Sequence, residues 1–139
     1  MKTLKNLFCS ALFILLSALV SAQEPATITL TSSKNINDAK ELIVDLEGDI
    51  ITDTWDKDYI RIEMEIKADE VSKEVVKYLV RKNRFRIKTQ YLNSESIMFY
   101  TPNLNLPVYI NGRKLSENIS YKISVPKNVS VFDKSSMDL

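Results

Sequence analysis

Apolar and polar residues alternate along much of this chain. From residue 59 to 68, Ile60, Ile62, Met64 and Ile66 are separated by Arg61, Glu63, Glu65 and Lys67. That is the period of a strand with one face in a core and the other in water. Ahead of it, Leu42, Val44 and Leu46 alternate with Glu41, Ile43 and Asp45, and Gly48 stands between Glu47 and Asp49. A glycine there suits a turn with positive φ, so the pattern predicts a hairpin. A second polar turn, residues 54–58, holds the only tryptophan, Trp55. Residues 26–31 form a short β-type run, followed by a polar link over 32–40.

The period then changes. Val71, Val75, Val76, Tyr78, Leu79 and Val80 recur at spacings of three and four, which predicts one helix over about residues 69–83, with Asp69 as N-cap and Glu70 in the first turn. Residues 84–90 return to period two, with Phe85 and Ile87 on one face and Arg84, Arg86 and Lys88 on the other. Residues 91–94 read as a turn and 96–100 as a short apolar strand. Two prolines make 101–107 a loop. Asn111-Gly112 between β-compatible flanks predicts a type I′ turn. Residues 119–125 alternate again, Pro126-Lys127-Asn128 breaks that strand, and 129–132 begins another. The fold class is therefore mainly β with one α-helix, built from antiparallel hairpins.

Residues 1–22 carry Lys2 and Lys5, an apolar run over 7–20, and small residues at 20 and 22. This is the pattern of an export signal cut before Gln23, and the apolar run is shorter than the roughly 20 residues that span a bilayer. Cys9 lies within that run as one more apolar residue. Without the leader, residues 23–139 form a single β-rich domain of 117 residues with 17 basic and 18 acidic side chains, a net charge of −1. No global field then favours polyanions, and nucleic acid is not an expected partner. The mature chain has no cysteine and no histidine, so disulfides cannot brace it and a hydrophobic core must. Its expected place is the periplasm, cell surface or extracellular space, peripheral to a membrane at most.

Gly48-Asp49-Ile50, then Thr54-Trp55-Asp56-Lys57-Asp58, an alternating charged strand, a helix, and finally Ser124-Val125-Pro126-Lys127-Asn128-Val129 together resemble the bacterial adhesin domains of unknown function, over about residues 42–132. The resemblance implies a cell-envelope protein with a β-solenoid-like or β-roll body. In that family further short strands stack after the proline segment, whereas this sequence stops soon after Phe132, so the body is expected to be incomplete, as in a truncated product. Its last strand should then be an exposed edge that invites pairing with another chain.

Candidate chemistry is sparse. Asp45, Glu47, Asp49, Asp53, Asp56 and Asp58 populate the acidic turns, but their spacing does not match a calcium loop, and solvating roles explain them better. No metal or cofactor is expected. Lys73, Lys77 and Arg81 share a helix face and are continued by Lys82, Arg84, Arg86 and Lys88, with Tyr78 and Tyr91 near the ends of the stretch. Such a stripe suits an anionic polysaccharide, a lipid headgroup or a partner protein, and equally a merely solvated surface. Trp55 could stack on a ligand or fold back over its hairpin, and burial favours the second. Asn118-Ile119-Ser120 and Asn128-Val129-Ser130 match the glycosylation acceptor by chance. With no histidine or mature cysteine and only Gly48 and Gly112, no catalytic residue is assigned; a carboxylate-pair enzyme would need an acidic cleft. The expectation is a non-catalytic envelope module, structural or adhesive.

Overall fold

The computed structural model describes residues 24–137. The leader assigned to residues 1–22 lies outside them. The elements run β1 (Ala26–Asn35), β2 (Glu41–Asp45), β3 (Asp49–Trp55), β4 (Tyr59–Ala68), α1 (Lys73–Arg81), β5 (Lys88–Tyr91), β6 (Ser96–Tyr100), β7 (Tyr109–Ile110), β8 (Arg113–Lys114), β9 (Glu117–Pro126) and β10 (Ser130–Asp133), with a 3-10 turn at Lys134–Ser136.

Two four-stranded sheets and one small hairpin result, in the orders β1-β4-β9-β3, β10-β2-β6-β5 and β7-β8. The sheets are open and mixed, and no solenoid or roll is present among the described residues. The period-two residues behave as their pattern requires: Ile60, Ile62, Met64, Ile66 and Ala68 of β4 and Ile119, Tyr121, Ile123 and Val125 of β9 are buried. Register brings Ile66 opposite Ile119 and Ile62 opposite Ile123. From the second sheet, Leu42 and Val44 of β2 stand beside Ile97 and Phe99 of β6 and join the same core. Each such side chain contributes about 1.5–3 kcal/mol by leaving water.

The predicted hairpin through Gly48 does not form. β2 belongs to one sheet and β3 to the other, where β3 runs parallel to β9. Gly48 is the crossing point between sheets rather than a hairpin turn. Its φ is +132°, and a Cβ there would stand 2.1 Å from the Ile119 carbonyl oxygen, so both backbone conformation and close approach select glycine. β3 and β4 are likewise not neighbours, since β9 lies between them. Of the predicted hairpins, the one at Asn111-Gly112 forms, with φ of 50° and 77°.

β1 continues to Asn35, beyond the predicted 26–31, because Ser32–Asn35 pair with the start of β4. At a sheet edge polar residues keep their side chains in water. The helix begins at Lys73, not residue 69: Glu70 has φ of 57°, which breaks helical continuity, and Ser72 takes the N-cap position. Asp69 instead donates its amide to Ser116 O. Nine residues are too few for an isolated helix; burial of Val76 and Leu79 and packing against β1 hold α1 in place.

Candidate functional site

The end of α1 decides where the basic side chains go. Asn83 adopts φ of 60°, Arg84 N donates to Leu79 O at 3.1 Å and Asn83 N to Val80 O at 3.0 Å, the paired bonds of a Schellman ending. The chain turns sharply here, so residues 84–87 are not a strand; β5 starts at Lys88. Phe85 and Ile87 are buried as expected, and Arg84 is buried with them.

Arg84 therefore stands apart from the other candidates. Its Nε and Nη2 meet both carboxylate oxygens of Glu117 at 2.6–3.1 Å, and Nη1 and Nη2 donate to the carbonyls of Leu106 at 2.7 Å, Asn103 at 3.3 Å and Leu104 at 3.4 Å. The two side chains are 9% and 8% exposed. A guanidinium with its donors committed this way has nothing left for an outside anion. It fastens the 101–108 loop to the start of β9.

The remaining basic residues do face water. Lys73, Lys77, Arg81 and Arg86 are exposed; Lys77 lies 3.8 Å from Glu74. Lys82 and Tyr78 of the same stretch belong to this surface. Lys82 stands over the Tyr78 ring at 5.5 Å, and Tyr78 is half exposed, a cation–π pair at the i, i+4 spacing that the sequence does offer.

Trp55 is half-buried at the far edge of the first sheet. Its indole N–H donates to Tyr59 O at 2.9 Å and its ring meets Tyr59 edge to face at 4.8 Å. The ring thus folds back over its own turn and does not join the α1 surface. Half of the six acidic turn residues are paired within the chain. Asp45 pairs with Lys134, Asp53 with Lys122 and Asp56 with Lys127. A hydrogen bond from Ser124, aided by Lys122, holds Asp53 below the usual carboxylate range. Among the described residues no group of three acidic side chains converges to hold a metal ion.

Beside Gly48 the Tyr121 ring is buried, and its hydroxyl makes no well-formed hydrogen bond. Burial and the charge of Glu47 push that phenol well above its ordinary range, opposed weakly by Thr101.

Among the described residues the outer strands of both sheets have one side without a strand partner. β10 lies at the edge of its sheet, with Val131 half-buried and Phe132 41% exposed. Register places Phe132, Ile43 and Met98 in one row across β10, β2 and β6, on the face opposite the core. Among the described residues no helix is long and apolar enough to cross a membrane.

No family model matches this chain, and no curated protein matches it. A solved structure that it resembles is a "putative cell adhesion protein" from Clostridium sporogenes ATCC 15579, at 10% identity and a TM-score of 0.40. The likeness covers 77% of this chain and 45% of that one, so this chain spans less than half of that protein's length.

Proposed function

We propose that this chain is a non-catalytic, exported module of the cell envelope that works by contact, structural or adhesive in kind, as the motif resemblance implies. The observation that carries the reading is the uncovered β10 edge. Edge strands in natural proteins are usually blunted by charge, proline or a covering segment. β10 is short and ends in the exposed Asp133, but its outward-facing residues are Ser130 and Phe132, the latter in line with Ile43 and Met98, and its other backbone side has no strand partner among the described residues. A strand from a second chain laid along β10 would satisfy those backbone groups and cover Phe132. The absence of histidine and mature cysteine from the sequence fits a role without a reactive side chain.

Sedimentation of the purified protein at an ionic strength of about 1 M, where contacts between charged surfaces are screened, tests this. The wild-type chain associates as its concentration rises, and Phe132→Lys, which puts a charge on the edge without touching the core, weakens association at least about tenfold. Unchanged association in the variant overturns the reading.

A second reading has its own observation. Lys73, Lys77 and Arg81 share the exposed side of α1 while Val76 and Leu79 are buried, which fits binding of an anionic polysaccharide, a lipid headgroup or a partner protein. Lys77→Glu, Arg81→Glu and Arg86→Glu together, leaving the buried Arg84 intact, should abolish retention on an anionic polysaccharide matrix if that reading holds. Retention that does not change favours the structural module.

A further inference from the structure

Exposed charge is mixed and paired over the middle of the larger sheet, as in Arg61–Glu63 and Lys67–Glu65, but differs in sign between its two margins. That sheet runs β1-β4-β9-β3. At one margin α1 packs against β1 and carries Lys73, Lys77, Arg81 and Lys82, with Arg86 and Lys88 following. Glu74 is the one acid between Lys73 and Lys88; Asp69 and Glu70 precede the helix, Glu70 paired with Arg113 and Asp69 accepting from Ser116 Oγ. At the other margin β3 has no second strand partner among the described residues, and its Ile51 is 68% exposed. It and its flanking turns hold Glu47, Asp49, Asp53, Asp56 and Asp58, with Lys57 among them.

Ion pairs within the chain neutralise only part of this. Lys122 and Lys127 match Asp53 and Asp56, and Glu74 matches Lys77. Among the described residues no ion pair is made by Glu47, Asp49 or Asp58 at the β3 margin, or by Lys73, Arg81, Arg86 or Lys88 at the other. Three interstrand steps of about 4.8 Å put β3 roughly 14 Å from β1. That exceeds the ~8 Å screening length at physiological salt, so the two margins present separate fields of opposite sign.

From this we infer that a second copy of this chain docks head to tail, the acidic β3 margin of one copy against the β1–α1 margin of the next. Like-charged margins repel when two identical edges meet, so a twofold β3–β3 contact is disfavoured and the opposite-edge contact favoured. Both β1 and β3 have a backbone side with no strand partner among the described residues, so the larger sheet can run on from copy to copy. A contact of this kind uses two different surfaces and propagates as a filament or closes into a ring. The inference rests on the reading of the chain as a contact module, but uses surfaces other than β10.

The test separates the two contacts by working on a Phe132→Lys background, where β10 pairing is suppressed. In that background the chain associates at an ionic strength of about 0.01 M and dissociates at about 1 M, where the screening length falls from roughly 30 Å to roughly 3 Å. Two charge-reversed versions are then made, one with Lys77→Glu and Arg81→Glu, the other with Asp49→Lys and Asp58→Lys. The first takes most of the positive charge off the α1 margin and leaves the β3 margin acidic, and the second reverses the β3 margin and leaves the α1 margin basic. Each alone associates at least about tenfold more weakly than its parent, while their equimolar mixture associates within about threefold of it. A mixture no tighter than either version alone, or a Phe132→Lys chain that stays monomeric at low salt, overturns the inference. Neither result touches the β10 reading, which rests on comparing Phe132→Lys with wild type at high salt.

Discussion

Replacing Arg84 by methionine keeps the length of the side chain but removes the cation that Glu117 faces inside the protein. With both side chains more than nine-tenths buried, the carboxylate of Glu117 is left without its partner in a site that water reaches poorly. Breaking such a pair from one side costs about 3–5 kcal/mol. Against a total stability of roughly 5–15 kcal/mol for a domain of ordinary size, this is a large fraction. The double variant Arg84→Met, Glu117→Met removes both charges and should recover about 2 kcal/mol or more of that loss, since a buried ion pair is worth little against well-packed apolar side chains. Recovery is incomplete because the carbonyls of Asn103, Leu104 and Leu106 lose their donors, at about 1 kcal/mol each where water cannot replace them. Urea unfolding followed by far-ultraviolet circular dichroism, with Trp55 emission as a second probe, gives the four free energies of the cycle. The reasoning is refuted if Arg84→Met costs less than about 1 kcal/mol, or if the double variant loses the sum of the two single losses.

Gly48→Ala should be among the most damaging single changes in the chain, costing upwards of about 2 kcal/mol, because a Cβ there stands 2.1 Å from a backbone oxygen at a φ of +132°; thermal melting checks it, and a shift within error contradicts it. Tyr121→Phe should be neutral or stabilising, since it deletes a buried hydroxyl with no well-formed hydrogen bond; a loss beyond about 1 kcal/mol would mean that the hydroxyl is satisfied. At the surface, Glu95 holds the Lys40 amine above its ordinary range, first through their hydrogen bond and then through charge, and Lys40 lowers the Glu95 carboxyl in the same way. The sign follows for each: the Lys40 contribution is complete below the ordinary amine range and is lost as pH rises through its raised folded value. The Glu95 contribution is present above the ordinary carboxylate range and lost as pH falls through its lowered one. Glu95→Gln should therefore move the Lys40 titration down in a nuclear magnetic resonance experiment, and an unmoved curve contradicts the pairing.

What could be read from the sequence was whatever local chemistry decides. The alternation at 59–68 placed β4, the apolar run at 96–100 placed β6, the prolines placed the 101–107 loop, and Asn111-Gly112 placed the β7–β8 turn. Strand partnership is a different matter, because it is settled by contacts far apart in the chain. A glycine between acidic residues looks the same whether it closes a hairpin or lets the chain pass the Ile119 carbonyl into another sheet, and only that carbonyl, 71 positions on, tells them apart. β3 shows the same limit, since its parallel pairing with β9 leaves no mark on its own side chains. The polar edge residues 32–35 hid the second half of β1 for a related reason: they belong to a strand only because the long β4 lies beside them. At the candidate site, the solvent-facing set Lys73, Lys77 and Arg81 followed from helical spacing, whereas Arg84 did not. Its period-two neighbours suggested an outward side chain, but the left-handed Asn83 turns the backbone, and Glu117, 33 residues later, draws the guanidinium inward.

If this protein meets its neighbours through the outer strands of its sheets, association must bury the free side of β10. Hydrogen–deuterium exchange of the wild-type protein, followed as concentration is raised at high salt, reads this directly. The amides of Ser130–Asp133 should become protected as the chain associates while those of β4, already paired on both sides, do not change. Association that leaves β10 unprotected would contradict it.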